Sequence, residues 1–284
     1  MLYLVVLEYL SMARSSEVLG QIEKRLFDSI SPTPKIEVLR QTFPNNTDGQ
    51  NRAILKRQDV QGLFNEFSQS SGSRVLVIGD LHAPFTLPGY LDHCEKVYRR
   101  EGCNRVVQIG DALDNHASSY HESESDSMGS SHELAAARRT LKPWAESFPD
   151  ALAVMGNHDR IIQRKATSSR VAHDWLRPYG EVIGVPWPFT ESLEIDGVLY
   201  RHEVGSSPLA AANSALKAGQ SVVGGHIHTK SGVVYLGKTF GCLTGVGVDR
   251  ETYSQRYAKL QIEPYQISCA VVYQGQRAAT FPMI

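Results

Sequence analysis

From residue 74 onward, short apolar runs alternate with helical periodicities, the order expected of an α/β domain. The runs 75–78, 106–109, 151–155, 198–200 and 221–223 predict five strands. Between them, Tyr90, Leu91, Cys94, Val97 and Tyr98 predict one amphipathic helix, and Leu134, Leu141, Ala145 and Phe148 predict another. The runs 233–236, 239–243, 267–273 and 278–281 are joined by short glycine-containing turns, which predicts a hairpin-rich second sheet. The expected architecture is two β-sheets packed face to face with helices outside. Residues 1–73 read differently. Val18, Leu19, Ile22, Leu26 and Ile30 recur at helical spacing until Pro32 and Pro34 break the pattern. A polar stretch at 44–49 follows, then a second helical set at Val60, Leu63, Phe64 and Phe67, and a serine-rich linker at 68–73. The expectation is a helical N-terminal appendage and linker over 1–73, ahead of one domain over 74–284.

Each of the five runs ends on polar residues of one chemical character. They are Asp80-Leu-His82, Gly110-Asp111-Ala-Leu-Asp114-Asn115, Gly156-Asn157-His158-Asp159, His202, and Gly225-His226-Ile-His228. A lone histidine is usually a satisfied core or surface residue; five such groups in sequence are a pattern. If the strands are parallel neighbours, their carboxyl ends share one sheet edge, where ligands bind in open α/β sheets. Spacing of i and i+2 puts Asp80 with His82, and His226 with His228, on one face of a continuing strand. Asp111 has two oxygens and can bridge two ions, Asn157 offers an amide oxygen, and the histidines offer nitrogens. Mixed carboxylate and imidazole ligation suits manganese, iron, zinc or nickel better than calcium.

On these motifs the chain resembles the calcineurin-like metallophosphoesterase superfamily, over about residues 74–230. The resemblance implies a two-sheet sandwich flanked by helices and two divalent metal ions, manganese first, with iron, zinc or nickel as alternatives. It implies that Asp80, His82, Asp111 and His228 hold one ion, and that Asp111, Asn157, His202 and His226 hold the other. It also implies that His158 is catalytic, with Asp114 orienting it and favouring its cationic form. Two ions about 3.5–4 Å apart would share an attacking hydroxide. In the protein-phosphatase branch an arginine follows the second block and clamps the phosphate; here Asn115 and then His116 stand there. Loss of a guanidinium fork disfavours a phosphomonoester dianion. The expected activity is therefore phosphodiester hydrolysis, nuclease action included. The alternatives are a phosphomonoesterase, protein phosphatase action included, and, from another class, a metal-stabilised scaffold without catalysis.

Asn115, His116 and Arg160 are the candidate substrate contacts. Arg160 also begins a basic run with Arg164, Lys165, Arg170 and Arg177, in which Asp174 is the one acid. This run reads as a solvated helix face or as a phosphate track. Arg250 is a further candidate guanidinium. Asp159 reads as a helix cap before Ile161. The polar loop 118–131 borders the second block, with His121 as a possible contact, and its acids would repel a polyanion. A small or flexible phosphodiester therefore fits better than long duplex DNA.

A net charge of -1 gives no global pull toward nucleic acid or an anionic membrane. Basic and acidic residues balance within 1–70, so the cluster Arg52, Lys56 and Arg57 reads as part of a packing or oligomerisation arm. Cys94, Cys103, Cys242 and Cys269 form no Cys-x-x-Cys pair and suit a reducing, cytoplasmic setting. The apolar opening 1–10 is too short to span a bilayer, is interrupted by Glu8, and lacks a basic leader. It reads as a buried strand or helix turn, or as an extension upstream of a start at Met12. No membrane association is expected, and the oligomeric state is left open.

Overall fold

The computed structural model describes residues 39–40, 43–57, 59–60, 73–120, 125–255 and 263–284. The opening apolar segment, the helix expected at 18–30, most of the set around 60–67, the linker 68–72 and His121 lie outside the described residues. In chain order the elements are α1 (Asp48–Leu55), β1 (Arg74–Ile78), α2 (Tyr90–Glu101), β2 (Arg105–Gln108), α3 (Ser130–Ser147) and β3 (Leu152–Val154). Next come α4 (Ile161–Ser168), α5 (Tyr179–Ile183), β4 (Phe189–Thr190), β5 (Leu193–Ile195), β6 (Val198–Tyr200) and α6 (Ala210–Ala218). The last are β7 (Ser221–Gly224), β8 (Ser231–Leu236), β9 (Thr239–Thr244), β10 (Ser268–Tyr273) and β11 (Arg277–Pro282). No helix among the described residues is long and apolar enough to cross a membrane.

The chain forms two compact units, Met1–Ser73 with Arg99–Asn104, and Arg74–Tyr98 with Arg105–Ile284. In the first, α1 starts inside the stretch that reads as polar loop. Its cause is a capping box: the Gln50 N–H donates to the Thr47 hydroxyl at 3.3 Å, and the Thr47 N–H donates to the Gln50 side chain at 2.7 Å. Arg57 of the basic cluster pairs with Asp59, and Arg40 pairs with Asp48 at 2.9 Å.

The second unit contains two sheets. One has the order β11-β10-β1-β2-β3-β4, the other β5-β6-β7-β9-β8. The hairpin β8–β9 joins the second sheet as expected, but β10–β11 does not. It pairs antiparallel with β1, with Val75 opposite Val272 and Val77 opposite Ala270, and so extends the first sheet. Strand patterning selects a buried face and leaves the partner strand undetermined. The core lies where the inner faces meet: Val75, Val77, Val107 and Val154 from one sheet pack with Val198, Tyr200, Val223 and Phe240 from the other.

Strand direction places the chemistry. β1, β2 and β3 are mutually parallel in the first sheet, and β6 and β7 are parallel in the second. All five motifs therefore leave the carboxyl ends of parallel strands, three from one sheet and two from the other.

Candidate functional site

The turns after these strands depart from extended backbone. His82, Asp111, Asn115 and His226 have φ of 46°, 51°, 55° and 71°, left-handed values that non-glycine residues seldom adopt. β1 stops at Ile78 and β7 at Gly224, so Asp80 meets His82 because the chain turns rather than by strand alternation, while His226 and His228 go to different ligand groups. Such strain is kept where surrounding contacts enforce it, typically at functional sites. Here the Leu81 and His82 N–H groups both donate to the Asp111 carbonyl, at 3.0 and 2.9 Å, locking the first turn to the second.

Two groups of side chains converge with ligand-forming atoms within 4.8 Å of one another, Asp80 with His82 and His228, and Asp111 with His202 and His226, and a third such group, His82 with Asp114 and His158, adjoins them. In the first, the Nε2 atoms of His82 and His228 lie 3.2 Å apart, and His228 Nε2 lies 3.4 Å from Asp80 Oδ2. In the second, His202 Nε2 is 3.0 Å from Asp111 Oδ2 and 3.0 Å from Asn157 Oδ1, so Asn157 belongs with this group. Asp111 Oδ2 is also 3.7 Å from His82 Nε2, which links the two groups through one carboxylate. The outer nitrogens are tied down: His82 Nδ1 to the Asp114 carboxylate at 3.0 Å, and His202 Nδ1 to the Ile109 carbonyl at 3.1 Å. Fixing the outer nitrogen turns the inner one toward a ligand, the usual arrangement around metal-binding histidines.

The donors fit a divalent cation. Asp80 and Asp111 are buried carboxylates, and Asp80 Oδ1 has no hydrogen-bond partner. Buried anions of this kind require positive charge. Burial opposes charge on His82 and His202, yet the neighbouring carboxylates outweigh it and hold them up at about 9 and about 10. Without an ion, protons supply the charge; metal entry displaces them.

His158 stands beside this cage, its ring 4.7 Å from that of His82. Its main-chain N–H donates to Asp111 Oδ1 at 2.8 Å. Its Nδ1 lies 2.6 Å from the Asp114 carbonyl, which can only accept, so Nδ1 carries hydrogen. This differs from the expected contact. The Asp114 carboxylate turns to His82 and, at 3.2 Å, to Gln255, and the main chain of Asp114 touches His158. The candidate substrate contacts also differ from expectation. Asn115 is buried, and its amide donates to the His158 carbonyl at 2.9 Å; asparagine tolerates the left-handed turn there. His116 is buried against the Tyr253 ring. Arg160 binds Glu191 and, at 3.2 Å, Glu203, so its guanidinium is committed to carboxylates. Arg250 lies over the Tyr265 ring, which meets the His228 ring edge-on.

Asp159 is not the helix cap that its position suggests. The N-cap of α4 is Arg160, and Asp159 is fully buried. It accepts from the Gly156, Leu113 and Ala112 N–H groups at 2.8, 3.2 and 3.4 Å and from the Tyr179 hydroxyl at 2.7 Å, joining the second and third motifs. Glu133 has a similar role, accepting from the His116 and Ala117 N–H groups at 2.7 and 2.8 Å. Asp159→Ala would leave four donors unmet, three of them buried main-chain N–H groups, so it is expected to destabilise the protein by about 3 kcal/mol or more. Urea unfolding measures this; a loss below about 1 kcal/mol would contradict the bracing role.

A search of curated proteins yields no match. Among solved structures, the chain is similar to Vacuolar Protein Sorting 29 from Cryptosporidium parvum, at 15% identity and a TM-score of 0.40, covering 75% of this chain and 99% of that one. It is similar to the phosphoesterase Yfce from E. coli at 12% identity and a TM-score of 0.37, covering 74% and 100%. It is similar to the nuclease MPE from Pseudomonas putida at 10% identity and a TM-score of 0.33, covering 73% and 86%. The sequence profile of the calcineurin-like phosphoesterases matches residues 73–215, half of the chain. The match takes in four of the five motifs, and the structure brings His226 and His228 from beyond it into the same cage. The chain belongs to the calcineurin-like phosphoesterase family.

Proposed function

We infer that the protein is a hydrolase that cleaves phosphodiesters with two divalent metal ions. The observation that carries this reading is the sharing of Asp111 between two ligand groups with His158 alongside. Asp80, His82 and His228 would hold one ion, and Asn157, His202 and His226 the other, with Asp111 between them. When bound, the ions supply Lewis acidity toward the phosphoryl oxygens and a water acidified for attack. The remaining steps fall to the chain. Nδ1–H of His158 is fixed by the Asp114 carbonyl, which leaves Nε2 to bond a phosphoryl or leaving-group oxygen. Asn115 holds the His158 main chain, and Asp114 orients His82.

Preference for a diester rests on what surrounds His158. A monoester dianion is best met by a guanidinium fork. Asn115 stands in that place with its amide on the main chain, and Arg160 is held by two glutamates. The four buried free cysteines support a cytoplasmic setting. The test is turnover of a bis-aryl and a mono-aryl phosphate by protein loaded separately with manganese, iron, zinc or nickel. Diester kcat/KM is expected to exceed monoester kcat/KM by about tenfold or more, a difference of about 1.4 kcal/mol. Strong monoester turnover without diester turnover would overturn the reading.

A further inference from the structure

The segment after the His158 loop carries features that the reaction centre does not use. α4 buries Ile161 and exposes Ile162 and Arg164, and every residue from 167 to 175 is exposed. Trp175 is 84% exposed and Tyr120 58%, with Ile162 and Val171 also bare. A lone exposed apolar residue needs no explanation, but a bare tryptophan in one segment with two further exposed apolar residues, Ile162 and Val171, points to an interaction surface. The charge is one-sided: Arg164, Lys165, Arg170 and Arg177 stand against Asp174 alone between 161 and 177. Two of these cations lie over an aromatic ring, with the Arg164 guanidinium 5.2 Å and the Lys165 ammonium 5.4 Å from the centroid of Tyr120. Arg170 sits just past the helix end at φ 56°, where the Val171 N–H closes on the Ala166 carbonyl at 2.9 Å. Glycine takes that conformation without strain, so the chain keeps a cation there at a conformational cost.

We propose that Tyr120, Arg164, Lys165, Arg170 and Trp175 form a platform for single-stranded nucleic acid, and that such a strand is the phosphodiester presented to the neighbouring centre. This rests on the phosphoesterase reading above. Flat exposed rings interleaved with cations match a ligand that has both π-faces and phosphates. An acidic polypeptide would use the cations but not the rings, and a paired duplex hides its base faces. Proximity follows from the chain: α4 begins three residues after His158. The path from His158 to Lys165 spans about 10 Å at helical rise.

The test is fluorescence anisotropy of the metal-loaded full chain with a labelled phosphorothioate single strand that resists hydrolysis. The same sequence as duplex, polyglutamate, and phosphatidylserine vesicles serve as competitors. The single strand is expected to bind at least about tenfold tighter than the duplex. Trp175→Ala should weaken it by about tenfold, the loss of one stacked base. Arg164→Glu with Lys165→Glu should make the log–log salt dependence shallower by about 1.4. Arg170→Gly should weaken binding while raising the melting temperature, which separates loss of the cation from loss of fold. Absence of single-strand binding, binding indifferent to these variants, or displacement of the strand first by polyglutamate or vesicles overturns the platform. Hydrolysis of bis-aryl phosphate without strand binding sinks the platform and leaves the phosphoesterase reading standing. Binding by a protein inactive on every phosphodiester sinks that reading and leaves the platform standing. Binding without cleavage of a normal strand, by protein active on bis-aryl phosphate, overturns the strand as substrate.

Discussion

Gly156→Ala is expected to cost about 3 kcal/mol or more and to strip the protein of bound metal at both positions together. A Cβ at Gly156 would overlap the carboxylate and the main-chain nitrogen of Asp111. No rotamer change relieves a clash with backbone, so the second and third motifs must separate. That separation also breaks the His158 N–H bond to Asp111 and the Leu113 N–H bond to Asp159. Asp111 is the carboxylate common to both ligand groups, which is why occupancy should fall at both positions at once. Metal content after dialysis against trace metal, read beside the melting temperature, measures the effect. Asp111→Ala is the companion variant, because it removes the shared oxygen atoms without the steric clash. Wild-type metal content in either variant would remove Asp111 from its proposed place between the ions.

The same crowding explains how much of this site was legible in the sequence. The five motifs follow apolar runs that do form strands, and parallel pairing brings their ends together as expected. Asp80, His82, Asp111, Asn157, His202, His226 and His228 all converge, because a functional residue at a strand end leaves a local pattern of apolar run followed by ligand-type side chain. Residues that act through the main chain leave no such pattern. Asp159 looks like any aspartate ahead of a helix until four donors from three parts of the chain are seen to meet it. Glu133 falls on the buried stripe of α3 with Ala137, Leu141 and Trp144, one residue away from the apolar set that starts at Leu134. A charged residue on a buried stripe is invisible to hydrophobic periodicity when its compensation is a pair of backbone donors seventeen and sixteen residues away.

Other misses did have a signal. β5 and β6 are joined across Asp196-Gly197, both with positive φ, and an Asp-Gly pair between apolar runs is a strong local hairpin cue. Thr47-x-x-Gln50 announces α1 in the same way. The side of the sandwich joined by β10 and β11 had no cue at all. Either sheet accepts an alternating hairpin, and only the packing of Val272 and Ala270 beside β1 decides.

His158→Ala is expected to lower turnover by about 10²–10⁴-fold and to leave metal content unchanged. The ring belongs to neither of the two ligand groups that Asp111 links: its Nδ1–H is spent on the Asp114 carbonyl, and its main-chain N–H, which does touch Asp111, survives the substitution. Asp114→Ala should behave differently. Its carbonyl remains available to His158, but the carboxylate that fixes His82 Nδ1 is lost, together with the contact to Gln255. Loss of such an outer partner typically lowers metal affinity by about 10–100-fold. The two variants therefore separate under metal titration: excess metal should restore much of the activity of Asp114→Ala and none of that of His158→Ala. Had the carboxylate served mainly to charge His158, the two would respond to metal alike, with turnover lost and occupancy kept. The 3.0 Å contact to His82, against the 2.6 Å contact of His158 with a main-chain oxygen, sets the expectation the other way. Equal metal affinity in Asp114→Ala and wild type would return Asp114 to the catalytic histidine and away from the metal cage.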